Sequence, residues 1–219
     1  MKVSSTMIFT YCYKYENRIY KQPANLLREG KRNKKKLFCQ YYAKEDYLSA
    51  VFLFSNFGSV AREKFVWLCY KSKLISKDEF SKLLTKVYVS ANIASGFRLF
   101  LSNKQIIDMF KYSNQKFLMN KIEFKKFNNL QDEITIYRSR SSKIKGDNNI
   151  YNGISWTLKK EVALFFAKYH AERHGVEQKY LIKGIIKKQF IYAFFNERNE
   201  YEIICDPMKV KVESTIEYF

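Results

Sequence analysis

The sequence predicts an α+β protein, in which a helical N-terminal region is followed by a C-terminal core built on a mixed β-sheet. From about Glu45 to Asn128, apolar residues recur at the i, i+3, i+4, i+7 spacing of amphipathic helices. From about Leu130 onward, short β-branched and aromatic runs are separated by turn residues, which is typical of strands. The expected organisation is therefore a scaffold or target-recognition region over residues 1–130 and a sheet core over residues 131–219.

The composition is that of a globular chain. Hydrophobic residues make up 47% of its 219 positions, enough for one sizeable core or two small ones. Glycine and proline are scarce, at 7 and 2 residues, so long flexible linkers are not expected.

The formal net charge of +19 is large for this length and would attract nucleic acid, anionic membranes or acidic proteins without choosing among them. The densest basic cluster is Arg28 to Lys36, with the sequence REGKRNKKK. It contains a glycine and no apolar residue, which favours a solvated loop over a phosphate-contacting patch.

No segment indicates a membrane or a metal. Apolar runs stay below the ~20 residues of a spanning helix, and Met7 to Tyr13 is too brief and too aromatic for a signal peptide. His170 and His174 lie four apart without a third ligand, so no metal is expected. The four cysteines lack CxxC spacing, which fits a reducing compartment. A soluble, cytoplasmic protein is the default expectation.

Within the helical region, the clearest helix follows Ser76 to Glu79, which have the spacing of a capping box. An apolar stripe continues behind it at Phe80, Leu83, Leu84 and Val87. Ile106 to Phe110 indicates another helix, and Phe117 to Phe127 a further one.

The C-terminal region is predicted to be strand, strand, helix and then about four strands. A strand ends near Tyr137-Arg138, and a short one at Ile154 to Leu158 leads into a helix entered at Thr157 to Glu161. The later strands are predicted at Tyr180 to Ile186, Phe190 to Phe195, Tyr201 to Cys205 and Val210 to Ile216.

The helix after Leu158 is predicted to pack on the sheet through Val162, Phe165, Phe166 and Tyr169, which fall on one face. Alanines at 163 and 167 would allow close approach.

Three elements of this core could carry chemistry: Arg138 at a strand end, Ser155-x-Thr157 where a strand meets a helix, and Glu200-x-Glu202 on a later strand. Side chains two apart on a strand share a face, so both glutamates are expected to address one cleft. An arginine beside them could hold a pyrophosphate with two parallel hydrogen bonds.

These residues, as YR at 137–138, ISWT at 154–157 and EYEII at 200–204, resemble in order and spacing the Arg, Ser-x-Thr, Glu-x-Glu signature of ADP-ribosyltransferases. The longer string is similar to small ADP-ribosyltransferase-like proteins of bacteriophages and prophages. One departure is Ser139, where many relatives have glycine.

The resemblance implies a sheet core of ADP-ribosyltransferase type with NAD as substrate and no metal. Arg138 would contact NAD, Ser155 would support the cleft, and Glu202 would be catalytic, with Glu200 as base or orienting anion for the acceptor. A glutamate at the Glu200 position goes with arginine acceptors. The implied activity is mono-ADP-ribosyl transfer to a protein arginine by a phage- or toxin-type effector.

Several assignments stay open at this stage. Thr157 is a cofactor ligand or a helix N-cap. Trp156 is a stacking platform or a core residue, and either Phe165 or Phe166, with Phe166 chosen here, lines the nicotinamide pocket. Arg138 could instead pair with Glu133 or Asp132 on the surface. At the level of function, the alternatives are ADP-ribosylation of DNA or RNA, and an inactive transferase fold that acts as a basic binding or inhibitor module. The oligomeric state is open.

Overall fold

A computed structural model describes residues 4–16, 24–54, 59–90, 101–141, 153–175 and 179–218. The chain divides into two compact units, residues 1–118 and residues 119–219, here called the helical unit and the sheet unit. The division falls twelve residues before the boundary expected at 130, so the helix that precedes the first strand belongs with the sheet. Residues 55–58 and 91–100 of the segment predicted to be helical lie outside the described part.

The helical unit contains seven described helices, α1 to α7. They are α1 (Ser5–Glu16), α2 (Ala24–Ala43), α3 (Tyr47–Phe52), α4 (Ser59–Ser72), α5 (Lys77–Ser90), α6 (Asn103–Tyr112) and α7 (Gln115–Leu118).

An aromatic cluster forms the core between α1, α2 and α4. Phe9, Phe38, Phe54 and Phe65 are all fully buried. The Phe9 ring lies 5.5 Å from Phe38 and 5.8 Å from Phe54, and Phe38 meets Phe65 edge-on at 5.8 Å. Offset and edge-to-face pairs at these distances add stability beyond the area they bury.

The predicted capping box at the start of α5 is confirmed. The Glu79 N–H donates to Ser76 Oγ at 3.2 Å, and the Ser76 N–H donates to Glu79 Oε2 at 3.3 Å. The stripe behind it is buried, with each of its four members at 2% exposure or less: Phe80, Leu83, Leu84 and Val87.

Two predictions for this half of the chain are wrong. The basic cluster from Arg28 to Lys36 lies within helix α2 and is not a loop, because lysine and arginine are good helix formers and Phe38 anchors the same helix in the core. The single helix expected from Phe117 to Phe127 is interrupted. Asn120 caps a new helix by accepting from the N–H groups of Ile122 and Glu123 at 3.0 and 2.9 Å.

The sheet unit contains two helices and six strands in its described residues. They are α8 (Lys121–Asn128), β1 (Glu133–Ser141), β2 (Ser155–Thr157), α9 (Lys160–His174), β3 (Lys179–Lys187), β4 (Ile191–Phe195), β5 (Glu202–Cys205) and β6 (Lys211–Tyr218). The strands form one sheet in the order β4-β5-β2-β1-β3-β6. All strand pairs that the structure describes are antiparallel, so the sheet is not the mixed sheet that was expected.

Helix α9 packs on β1, β2 and β3 through a stripe of alanines rather than through its aromatic residues. Ala163, Ala167 and Ala171 are 2–3% exposed, whereas Phe165 is 63% exposed. Alanines at i, i+4 and i+8 share one face and bring the helix axis close to the sheet, which leaves the larger rings no room on that face. The prediction that Phe165 packs on the sheet is therefore wrong.

No helix in the described part of the chain combines the length and the hydropathy that a membrane span requires.

Candidate functional site

Three neighbouring strands at the centre of the sheet each carry one residue of the predicted constellation. In the order β5-β2-β1 these residues are Glu202, Ser155 and Arg138. The register places Thr157 opposite both Glu202 on β5 and Tyr137 on β1. The Ser155 hydroxyl meets Glu202 on one face of the sheet, whereas Arg138, the residue after Tyr137 on β1, starts from the opposite face and reaches the Ser155 backbone carbonyl.

Ser155 and Glu202 are joined directly. Ser155 lies opposite Ile204, so Glu202 is its diagonal neighbour across the strand pair, within reach of a side-chain contact. The Ser155 hydroxyl donates to Glu202 Oε1 at 2.6 Å, a length typical of a hydroxyl bound to a carboxylate. Glu202 is only 8% exposed, so this hydrogen bond fixes the carboxylate at a defined point on the sheet.

Arg138 reaches across to the backbone of β2. Its Nη1 donates to the Ser155 carbonyl, and its guanidinium lies against Gly153. A Cβ added at Gly153 would overlap the Arg138 guanidinium, so only glycine leaves the guanidinium in this position. The sequence reasoning did not single out Gly153, although a glycine two residues before the serine, in a chain with only 7 glycines, was an available signal.

Glu200 is not part of strand β5, and the prediction that both glutamates share one strand face is wrong. The strand begins at Glu202, and Tyr201 has φ 49°, in the left-handed region that a bulky residue rarely adopts. Alternation with period 2 therefore does not run through Tyr201. Glu200 instead precedes the strand, where its Oε2 accepts from Arg198 Nη2 at 2.8 Å.

The environment of Glu200 raises the pKa of its carboxyl group. Burial is the main cause, the guanidinium of Arg198 partly offsets it, and the nearby charge of Glu202 raises the pKa further. A carboxyl with a raised pKa is better suited to exchange protons near neutrality than an ordinary surface glutamate.

A set of hydrogen bonds holds the turn that carries Glu200. The Asn196 N–H donates to Glu123 Oε1 on α8 at 2.7 Å, and the Tyr201 N–H donates to Asn196 Oδ1 at 3.1 Å. Glu123 is 4% exposed and also caps its own helix. The sequence reasoning missed this positioning role of Glu123, although Asn120-x-x-Glu123 has the capping-box pattern.

Thr157, on β2, forms a hydrogen bond to the same turn. Its hydroxyl donates to the Glu200 carbonyl at 2.7 Å and accepts from the Lys159 N–H at 3.1 Å. Both bonds engage the backbone, and the formal N-cap of α9 is Lys159, which makes no side-chain cap. Thr157 therefore positions the strand, the turn and the helix entry, which favours a supporting role over direct cofactor contact.

Trp156 and Phe166, both chosen as cofactor contacts, lie in different surroundings. Trp156 is 2% exposed and its indole N–H donates to the Gly153 carbonyl at 2.7 Å, so the core role is favoured over the stacking role. Phe166 is half-buried and its ring stacks on His170 at 5.8 Å. Of the two phenylalanines considered, Phe166 is thus the more sheltered, and its contact with nicotinamide stays a prediction.

The cysteine of β5 is unsuited to nucleophilic chemistry. Burial raises the pKa of the Cys205 thiol far above its usual range, so this thiol stays protonated and is a poor nucleophile. Within the described ranges, His, Cys, Asp and Glu side chains form no group of three that could hold a metal ion.

No protein-family model matches the chain, and no curated protein or solved structure matches it at a significant level.

Proposed function

We propose that the protein is a mono-ADP-ribosyltransferase that moves ADP-ribose from NAD to a protein arginine. The observation that carries the proposal is the arrangement of Glu202, Ser155 and Arg138 on three adjacent strands, with the serine hydroxyl 2.6 Å from the glutamate carboxylate. The resemblance to phage and prophage proteins of this class extends the proposal to an effector that modifies host machinery in the bacterial cytoplasm.

The donor set of these residues fits NAD. The planar guanidinium of Arg138, in its glycine-lined position, matches a pyrophosphate, and the Ser155 hydroxyl and Glu202 carboxylate match ribose hydroxyls. Arg138 also donates to the Ser155 backbone, so it would couple NAD contact to the strand that positions Glu202.

Glu202 has the central role in this proposal. Cleavage of the bond between nicotinamide and ribose develops positive charge at the sugar, and a fixed carboxylate stabilises such charge most strongly when it is sheltered from water. Ser155 keeps that carboxylate in place, so the preorganisation does not have to be created during the reaction.

Glu200 would serve the acceptor. Its carboxylate already binds a guanidinium, that of Arg198, in the bonded geometry that an arginine acceptor would require. Its raised pKa suits a group that takes the proton from that acceptor. The proposal of an arginine acceptor rests on the resemblance, in which a glutamate at this position goes with arginine acceptors.

The decisive variant is Glu202→Gln, which is nearly isosteric and removes the charge. We expect it to keep the fold and to lower NAD cleavage and transfer by about 10²-fold or more, as comparable electrostatic deletions do. The measurement is release of nicotinamide from NAD, together with incorporation of labelled ADP-ribose into a host lysate with and without nuclease.

Glu197→Gln is the matched control, since it makes the same change at an exposed position of the neighbouring turn. Near-full activity of Glu202→Gln would refute the assignment. Loss of the label on nuclease treatment would move the acceptor to DNA or RNA. Wild-type protein that binds a host component but cleaves no NAD would indicate the inactive binding module.

A further inference from the structure

Helix α2 carries a dense run of positive charge in the helical unit. Between Gly30 and Ala43 it has five cations and no carboxylate. All five lie within Lys31 to Lys36, which at 1.5 Å per residue spans about 8 Å of helix axis. Like charges this close repel one another, so the helix retains them at a cost to its own stability.

The side of α2 that faces the core is apolar at Phe38 and basic one turn earlier. Phe38 in the C-terminal half is fully buried, whereas the positions one turn earlier on the same side, Lys34 and Lys35, are lysines that are half-buried. Lys31 and Lys34 both point over the ring of Tyr13 on α1, with their Nζ atoms 5.2 and 5.9 Å from its centroid. Two cations thus share the face of one aromatic ring.

A groove runs beside this part of the helix. Its volume is about 530 Å³, and three of its lining side chains are cations. The described residues that line it are Arg32, Asn33, Lys35, Lys36 and Cys39. The groove therefore offers charge and an amide donor to a ligand rich in anionic oxygen atoms.

We propose that this groove binds the phosphate backbone of nucleic acid. Duplex nucleic acid carries about one charge per 1.7 Å of axis, so its phosphates are spaced closely enough to meet the three groove cations, Arg32, Lys35 and Lys36, together. Contacts of this kind position a protein on nucleic acid without reading its sequence. The binding site is independent of the proposed transferase chemistry.

The exposed face of α2 does not favour a membrane as the anionic partner. A helix that lies in a membrane interface buries a large apolar face. Here the apolar side, at Phe38, is used in the protein core, and the solvent side of the described residues offers one large apolar group, Leu37, at 43% exposure. Phosphate contact without apolar insertion matches nucleic acid better.

The test compares two triple variants of the full chain that remove the same charge. Arg32→Gln with Lys35→Gln and Lys36→Gln empties the groove of cations while keeping good helix formers. Its control changes three exposed lysines of other helices in the same unit, Lys86, Lys104 and Lys116, to Gln. Fluorescence anisotropy of a short labelled duplex, and of its single strand, measures affinity over a series of salt concentrations.

We expect the groove variant to weaken duplex binding about tenfold or more at low salt. It should also flatten the slope of log affinity against log salt by up to about 2.7, because three phosphates would no longer be neutralised by the protein. The control should change affinity less than about twofold. If both variants weaken duplex binding equally, the effect comes from the overall positive charge rather than from the groove, and the proposal is overturned. Groove-dependent binding to phosphatidylserine vesicles without duplex binding would also overturn it. If the triple variant does not fold, Arg32→Gln and Lys36→Gln separately test one phosphate contact each.

Discussion

Arg198 forms an ion pair with Glu200, the residue that the proposed reaction assigns to the acceptor. Its Nη2 lies 2.8 Å from Glu200 Oε2, and its side chain is 41% exposed, so the pair can open without disturbing the core. An exposed ion pair of this kind contributes little to stability. Arg198 lowers the pKa of Glu200, and under the proposed function it would also compete with an incoming guanidinium.

Arg198→Gln tests this role through the pH dependence of transfer. Arg198 lowers the pKa of Glu200, against the larger effect of burial, which raises it. Removing the guanidinium should therefore raise that pKa further, and the acid limb of kcat/KM for a small guanidino acceptor should move to higher pH. Arg198→Lys, which keeps the charge, should move it less. An unmoved limb in Arg198→Gln would exclude Glu200 as the titrating base, whereas NAD cleavage without acceptor is expected to continue in every case.

At the scale of single residues, the resemblance alone related Ser155 to Glu202, and it did not say how the two side chains are held. The structure joins them by a hydrogen bond across β2 and β5. The left-handed Tyr201 and the contact between Gly153 and Arg138 could not be foreseen, since both depend on backbone paths set by residues far away in sequence. The prediction that the two glutamates share a strand face failed at Tyr201 for this reason.

At the scale of elements, most of the helices and strands were predicted from the spacing of apolar residues and from helix-capping motifs. The late strands were located to within a few residues, and β5 was expected from Tyr201 and begins at Glu202. The spacing of apolar residues could not show which side of α9 is buried, because alanines and aromatic residues both recur at helical spacing on neighbouring faces. The structure buries the alanines and leaves Phe165 exposed.

This choice of face predicts an unusual ranking of substitutions on α9. Ala167→Leu should destabilise the sheet unit by about 1–3 kcal/mol, because extra methyl groups do not fit a well-packed contact. Phe165→Leu, at a position that is 63% exposed, should change stability by less than about 0.5 kcal/mol. Urea unfolding in a Trp67→Phe background isolates the signal of Trp156, which lies in the sheet unit. The reverse ranking would mean that the aromatic face is the packed one.

At the scale of the whole molecule, the two units carry different kinds of charge. The helical unit holds the dense cations of α2, which would attract the proposed nucleic-acid partner over long range. The sheet unit holds Glu202 in a nearly buried position, where salt has little access. Exposed charges are screened beyond about 8 to 10 Å at physiological ionic strength, whereas buried pairs are screened much less. Ionic strength should therefore separate the two proposed activities within one chain.

Raising NaCl from about 50 to about 200 mM should weaken duplex binding by roughly 40-fold if three phosphates are contacted, since affinity then falls with a log–log slope near −2.7. Nicotinamide release from NAD should change by less than about threefold over the same range, because the carboxylate and its serine are sheltered.

Two variants complete the comparison. Glu202→Gln should lose NAD cleavage and keep the full salt slope of binding, while the triple Gln variant at Arg32, Lys35 and Lys36 should keep NAD cleavage and lose most of the slope. A parallel fall of both activities with salt in the wild type, or loss of both in a variant that still folds, would contradict the assignment of binding to the α2 cations and of NAD cleavage to Glu202.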